Sequence, residues 1–251
     1  MANDLLNHRL ISERYFFPRT GSLAEPFWVD CGDAQLACSY HEINPAAKTL
    51  LHFHGNGEIV DDWCGDFVSL IQQMGCNCFL AELRGYGRST GEAQLGKMLD
   101  DVLPTIEALG KPASELIFFG RSVGSIFAIE AASRFPEAAG LVLESGIADV
   151  EERLLLRVTP QELGVTAEKL AAVVEQDLNH QQKLAAFKGP LLVLHTEHDG
   201  LVDVSHGQRL YDWGAGQKQL KIFPRGNHND IMFDNAREYF ALLADFIAAL
   251  K

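Results

Sequence analysis

The sequence predicts an α/β domain: a mostly parallel sheet of eight strands with helices on both faces. Three observations carry this. Short apolar runs alternate with stretches of helical periodicity along most of the 251 residues. Most of the strand runs are nearly unbroken apolar sequence, as strands covered on both faces must be. The length and the 47 % apolar content suffice for one large core, which also argues against disorder. The expected unit is a single domain over residues 1–251.

Residues 1–20 are polar with an aromatic patch, Tyr15-Phe16-Phe17, and are expected to lie on the body. Pro26–Asp30 and Gln35–Tyr40 alternate around Gly32-Asp33, which predicts an antiparallel hairpin at a sheet edge. Thr49–His54 is the next strand, ending at Gly55-Asn56-Gly57. Residues 58–74 place Ile59, Val60, Trp63, Phe67, Leu70, Ile71 and Met74 at helical spacing, with Gly75 closing the helix. Cys76–Ala81 is a strand, followed by a glycine-rich loop, Arg84-Gly85-Tyr86-Gly87-Arg88-Ser89. A helix over about 94–109 should kink at Pro104.

The strand Leu116–Phe119 runs into Gly120-Arg121-Ser122-Val123-Gly124, and helix-forming residues continue to Phe135. Strand, tight turn and helix with Gly-x-Ser-x-Gly spacing make a nucleophile elbow. Glycine is needed where a Cβ would collide, and the serine takes a strained backbone that lifts its hydroxyl clear of the sheet. The Val123 N–H then points back at whatever the hydroxyl attacks. Gly140–Glu144 is a further buried strand. The alternation breaks at about 147–187, where two or three helices are expected as a cap inserted above the sheet. Strands follow at Pro190–His195 and Leu220–Phe223, with a helix over about 204–213 between them. The last helix should start at Asn235, with Glu238 completing a capping box.

Right-handed crossovers bring every strand-to-helix loop of a parallel sheet to one rim. The elbow and the His54–Gly57 loop therefore share that rim. A serine hydroxyl needs a base, and the base needs an orienting group. Asp199 follows one buried strand and His228 follows the next, giving the chain order Ser, Asp, His. Asp203 is an alternative orienting acid.

From about residue 25 onward the chain resembles the α/β-hydrolase superfamily. The segments His54-Gly55-Asn56-Gly57 and Gly226-Asn227-His228-Asn229-Asp230 are similar to those of small esterase, thioesterase and depalmitoylase-type members. The resemblance implies Ser122 as nucleophile, His228 as general acid/base and Asp199 as orienting acid. It implies the N–H groups of Asn56 and Val123 as the oxyanion hole. Membrane-anchored depalmitoylases of this type carry a Cys-rich N-terminal segment for lipidation. The first cysteine here is Cys31, so no membrane anchor is expected and a lipidated protein is disfavoured as substrate.

The expected reaction is cleavage of a small-molecule carboxylic ester or thioester through an acyl-enzyme. A peptidase or an acyltransferase could run on the same three residues. Halide- and epoxide-opening members use Asp at the elbow, where this chain has Ser122. A non-catalytic binding protein on the same fold is the alternative from another class.

Other features bound the function. The net charge of −13 argues against nucleic acid and anionic membrane surfaces as partners. No run of eighteen apolar residues exists, and the N-terminus lacks the apolar middle of a signal peptide. Five cysteines, an odd number and mostly in apolar surroundings, read as free thiols of a cytoplasmic protein. Cys76-Asn77-Cys78 completes no zinc site, and the loop at 84–89 lacks the Lys of a P-loop. No metal and no cofactor is expected. His195, His198 and His206 read as loop and strand-end histidines, His52 as strand packing and His54 as a brace for the oxyanion loop. Glu144 reads as a structural acid. Arg121 is either an anion binder or part of a salt bridge. Leu154, Leu155 and Leu156 either line an acyl pocket or pack the cap.

Overall fold

The structure is a computed structural model and describes residues 4–250. Residues 1–3 and 251 lie outside the described residues. They bound the expected domain, and the first three belong to the stretch read as lacking a signal peptide.

The elements follow one another as α1 (Arg9–Tyr15), β1 (Phe27–Asp30), β2 (Gln35–His41), β3 (Thr49–Phe53), α2 (Val60–Trp63), α3 (Asp66–Gln73), β4 (Asn77–Ala81), α4 (Leu95–Asp100), α5 (Val102–Glu107), β5 (Leu116–Arg121) and α6 (Gly124–Arg134). The second half comprises β6 (Gly140–Glu144), α7 (Val150–Leu155), α8 (Ala167–Leu178), α9 (His180–Ala186), β7 (Leu191–Thr196), α10 (Val204–Trp213), β8 (Lys218–Phe223), α11 (Ile231–Asp234) and α12 (Ala236–Ala249).

All eight expected strands form one sheet in the order β1-β2-β4-β3-β5-β6-β7-β8. The hairpin β1–β2 and the β2–β4 pair are antiparallel, and every other pair is parallel. Side chains alternate across a strand, and that alternation divides the core in two. Phe118, Leu141, Leu143 and Val193 face one layer, with Phe127 and Ile129 of α6, Leu210 of α10 and Leu184 of α9. Phe119, Val142, Leu192 and Leu194 face the other, with Phe67 and Ile71 of α3 and Leu243 and Ile247 of α12.

Between β6 and β7 the described chain contains three helices and no strand. Asp149 caps α7 by accepting from the Glu152 N–H at 2.9 Å, and Thr166 caps α8. Helix α9 packs on α6 and α10.

Four local expectations need correction. The helix expected over 58–74 is two helices, because Cys64 is extended and Gly65 has φ 106°, a conformation closed to other residues. The apolar spacing continued across the break because both pieces face the same core layer. The helix expected over 94–109 breaks at Asp101, before Pro104. Pro104 has no N–H to give the Asp100 carbonyl, so the ladder fails one turn upstream of the ring. The capping box at Asn235 does not form. The Asn235 amide donates instead to the Arg225 and Ile231 carbonyls at 3.1 and 2.9 Å, which ties down the loop after β8. Residues 9–15 form a helix that the polar composition hid. Its Ile11 and Tyr15 are buried against the body.

Candidate active site

Strands β3, β5, β7 and β8 are parallel, so the loops after them meet at one rim. At the elbow the chain passes from β5 into α6 through Ser122, whose φ is +51°. Such a conformation costs a non-glycine residue about 1–3 kcal/mol and persists only where the surroundings enforce it. The Ser122 N–H donates to the Glu144 carbonyl at 2.8 Å. A Cβ on Gly120 would lie 2.6 Å from the Ser125 Cα, and one on Gly124 would lie 2.1 Å from the Phe53 carbonyl oxygen. The first contact is the strand-to-helix approach expected from the motif. The second is with the end of β3, which the motif alone could not reveal.

The structure brings Ser122, His228 and Asp199 together, all buried. His228 Nε2 lies 2.8 Å from Ser122 Oγ, and its Nδ1 lies 2.7 Å from Asp199 Oδ2. A carboxylate only accepts, so Nδ1 donates, and neutral imidazole then presents Nε2 as the acceptor of the serine proton. The other Asp199 oxygen accepts from the Leu201 and Val202 N–H groups at 2.9 and 2.7 Å. Burial opposes ionisation of Asp199, but the His228 contact and these two amides outweigh it and hold its pKa below the ordinary carboxylate value. Asp203 does not reach His228; it caps α10 by accepting from the Ser205 N–H at 2.9 Å.

Asn56 and Val123 border the same cavity as Ser122 and His228. Neither N–H has a backbone acceptor among the described residues, and Val123 sits at the N-terminus of α6, where the helix dipole favours negative charge. The Asn56 side chain is fixed from three sides. Its Oδ1 accepts from the Tyr86 hydroxyl at 2.8 Å and the Phe17 N–H at 2.9 Å, and its Nδ2 donates to the Tyr15 carbonyl at 2.5 Å. Tyr15, Phe17 and Tyr86 were not singled out for the site. They lie 30 to 41 residues from Asn56, too far for any local pattern to join them.

His54 braces this loop. Its Nδ1 faces the Gly55 carbonyl at 2.8 Å and its Nε2 faces Glu82 Oε1 at 2.7 Å. Both partners offer oxygen atoms, an arrangement that favours the doubly protonated ring. Burial alone would lower its pKa, but the Glu82 hydrogen bond and charge raise it above the ordinary value. His52 is packing: Trp63, Phe119 and Phe67 surround it with ring centroids at 4.2, 5.1 and 5.2 Å, and burial keeps it neutral.

Arg121 is part of a salt bridge. Its Nη1 lies 2.9 Å from Glu58 Oε1, and its Nε lies 3.1 Å from Glu144 Oε1. Glu144 is wholly buried, with Tyr239 donating to its other oxygen, so its structural role is hydrogen-bonded rather than solvated. Burial raises its pKa. Arg84 pairs with Asp101 through Nη2 and Nε at 2.6 and 2.8 Å, so the glycine-rich loop is structural, and its Tyr86 reaches Asn56. His195 faces the Val202 carbonyl at 2.8 Å, and His206 accepts from the Ala148 N–H at 3.0 Å. Among the described residues no cluster of His, Cys, Asp or Glu could hold a metal ion. Leu154 is buried in the core while Leu155 and Leu156 are exposed, and none of the three borders the cavity at Ser122. Arg153 and Arg157 from that stretch do.

The cavity holds about 230 Å³, and Ile147, Leu201 and Val202 supply its apolar wall. A groove of about 480 Å³ lies beside it, lined by Trp63, Phe67, Met232, Phe233 and Phe240. Ser122, His228 and Asp199 do not line that groove.

Residues 44–179 match the family model described as serine aminopeptidase, S33, a model of hydrolases. The chain belongs to that α/β-hydrolase family. Among curated relatives, the hydrolase is 26 % identical to mouse alpha/beta hydrolase domain-containing protein 17C over 86 % of its own length and 65 % of the mouse protein. It is 29 % identical to alpha/beta hydrolase domain-containing protein aho-3 of Caenorhabditis elegans, over 79 % of its own length and 57 % of the relative. The chain thus spans less than two thirds of these relatives. Among solved structures, an esterase of Pyrococcus furiosus, Pf2001, superposes with a TM-score of 0.73 at 18 % identity, covering 94 % of this chain and 98 % of that one. Est1E of Butyrivibrio proteoclasticus, solved with ferulic acid, gives 0.73 at 15 % identity over 89 % and 98 %. These likenesses show that the eight-stranded sheet is an α/β-hydrolase fold.

Proposed function

We propose that this hydrolase is a serine enzyme that cleaves a carboxylic ester or thioester through an acyl-enzyme. The observation that carries the proposal is the continuous run of contacts from Ser122 through His228 to Asp199, at 2.8 and 2.7 Å. His228 takes the Ser122 proton as the hydroxyl oxygen attacks the acyl carbonyl. Asp199 holds the ring tautomer and stabilises the imidazolium. The oxyanion forms against the N–H groups of Asn56 and Val123, and one such donor is worth about 3 kcal/mol in the transition state. The tetrahedral intermediate collapses, the carbon–oxygen or carbon–sulfur bond breaks, and His228 protonates the leaving alcohol or thiol. Water, deprotonated by His228, then attacks the acyl-enzyme and releases the acid. Residues 147–187 act as the cap, with α7 contributing Arg153 beside the cavity. Five free cysteines, three of them buried, support a reducing, cytoplasmic setting.

The family description makes an aminopeptidase the second reading. Such an enzyme must hold a free ammonium group, and among the described residues no carboxylate lines the cavity while Arg153 and Arg157 do. Like charge there disfavours an amine substrate. A fluorophosphonate probe tests the class: labelling of wild type that is abolished in Ser122→Ala supports the serine hydrolase, and folded wild type that stays unlabelled favours a binding protein. Assays on p-nitrophenyl esters, acyl thioesters and aminoacyl p-nitroanilides then separate esterase, thioesterase and peptidase.

A further inference from the structure

Two arginines on the wall of the catalytic cavity have no charge to meet. Arg153 and Arg157 line the cavity that holds Ser122 and His228, and neither enters an ion pair with a described residue. Three acids of the neighbouring segments are already engaged. Glu162 accepts from Arg14 at 2.9 Å, and Glu152 and Asp149 face Arg209 at 3.1 and 3.6 Å. Arg121, the third arginine of the lining, is neutralised by Glu58 and Glu144.

The Arg153 Nε is buried with no hydrogen-bond partner. A donor so placed is free to take an acceptor from a bound ligand. Arg157 stacks over the Phe17 ring, its Cζ 5.8 Å from the centroid. A cation–π contact of this kind leaves the guanidinium N–H groups free to donate. The Tyr15 hydroxyl belongs to the same wall. Burial pushes its pKa up to about 12 against the opposing fields of both arginines, so at neutral pH it is a donor as well. Local positive charge at this one mouth stands out on a chain of net charge −13. It would draw an anion to the cavity while the rest of the surface repels it.

We propose that Arg153 and Arg157, with Tyr15, form an anion subsite, and that the substrate is an ester or thioester carrying a carboxylate or phosphate near the scissile bond. This rests on the serine-hydrolase reading above and names the substrate class of that site. The anion can belong to the acyl half or to the leaving group.

Two substrate pairs distinguish those sources. Mono-p-nitrophenyl succinate against p-nitrophenyl butyrate places the charge on the acyl side. The p-(carboxymethyl)phenyl ester of butyric acid against p-tolyl butyrate places it on the leaving side. In one pair the wild type should favour the anionic ester by about tenfold or more in kcat/KM, the scale of a charge-assisted bidentate contact. Arg153→Gln with Arg157→Gln should bring that ratio close to one, and the corresponding Lys pair should recover part of it. Equal or better turnover of the neutral ester in both pairs overturns the proposal, as does a preference that survives the Gln substitutions.

Binding supplies a readout without turnover. Calorimetry on Ser122→Ala should find the preferred anionic ester bound more tightly than its neutral partner, with the difference lost when both arginines become Gln. If wild type turned over no ester, the hydrolytic reading would fall, and calorimetry with the same four esters would still decide the subsite. Equal binding of charged and neutral esters would reject it.

Discussion

The guanidinium of Arg121 donates through Nη2 to the main-chain carbonyl of His228 at 3.0 Å. The residue before the elbow serine thus holds the loop that carries the histidine. The same side chain reaches Glu58, and Glu58 accepts from the Gly55 N–H at 2.7 Å. One side chain therefore ties the loop bearing Asn56 to the loop bearing His228.

Arg121→Met should destabilise the protein by about 3–5 kcal/mol, because it leaves Glu144 buried without its cation. Adding Glu144→Gln should restore part of that stability but not the hold on His228. Urea denaturation and kcat, measured on both variants, should therefore separate: stability recovers in the double variant and kcat does not. Parallel recovery of the two would contradict a positioning role.

Asn56→Ala removes the side chain that Tyr15, Phe17 and Tyr86 hold in place, while keeping the backbone N–H. Loss of the aim of one oxyanion donor should cost about 10²-fold in kcat, the lower end for removal of such a donor. Tyr86→Phe removes the hydrogen bond to Asn56 and the one its hydroxyl accepts from the Phe17 N–H at 3.0 Å. The Phe17 N–H and the Tyr15 carbonyl still hold Asn56, and with about 1 kcal/mol lost at Asn56 the variant should cost about fivefold. Steady-state kinetics on one ester would check the ranking, which fails if Tyr86→Phe is the more damaging change.

The His54–Glu82 pair makes stability depend on pH. The folded pKa of His54 is raised above the ordinary 6.5, so the charged ring is favoured by folding. Its contribution is complete below that ordinary value and fades as pH climbs through the folded one. Melting temperature should decline as pH rises above that ordinary value. Glu82→Gln should lower it at neutral pH and flatten the decline. An unchanged slope in that variant would assign the pH dependence elsewhere.

Ser122→Gly should abolish turnover and raise stability by about 1 kcal/mol, since glycine adopts a φ of +51° without penalty. Thermal melting beside fluorophosphonate labelling would check both halves. A variant less stable than wild type would show that the Ser122 side chain contributes more than its backbone costs.

The sheet and the three central residues were legible because their signals are local. Apolar runs such as Leu116–Phe119 and Leu191–Leu194 mark strands wherever they occur. The glycines around Ser122, and the Asp and His that follow strand ends, are written within a few residues of their neighbours. Helix ends were less legible. The break at Gly65 depends on a dihedral, and that at Asp101 on a carbonyl left without a donor by Pro104. The walls of the cavity were least legible. Tyr15 and Phe17, and Arg153 with Arg157, come from two distant stretches, and Tyr86, which holds Asn56, comes from a third; only folding makes them neighbours. Helical spacing drew attention to Leu154–Leu156, yet the arginines flanking those leucines line the cavity at Ser122.

The stretch ahead of the first strand contributes no rung to the sheet, but it supplies Tyr15 and Phe17 to the cavity wall and two of the three holds on Asn56. Residues 18–26 are the only covalent link between those two holds and the sheet. Leu6, Ile11, Tyr15 and Phe16 of this stretch are also buried in the core, so what holds Asn56 is itself anchored by packing. The N-terminal segment thus couples one layer of the core to the loop that carries Asn56.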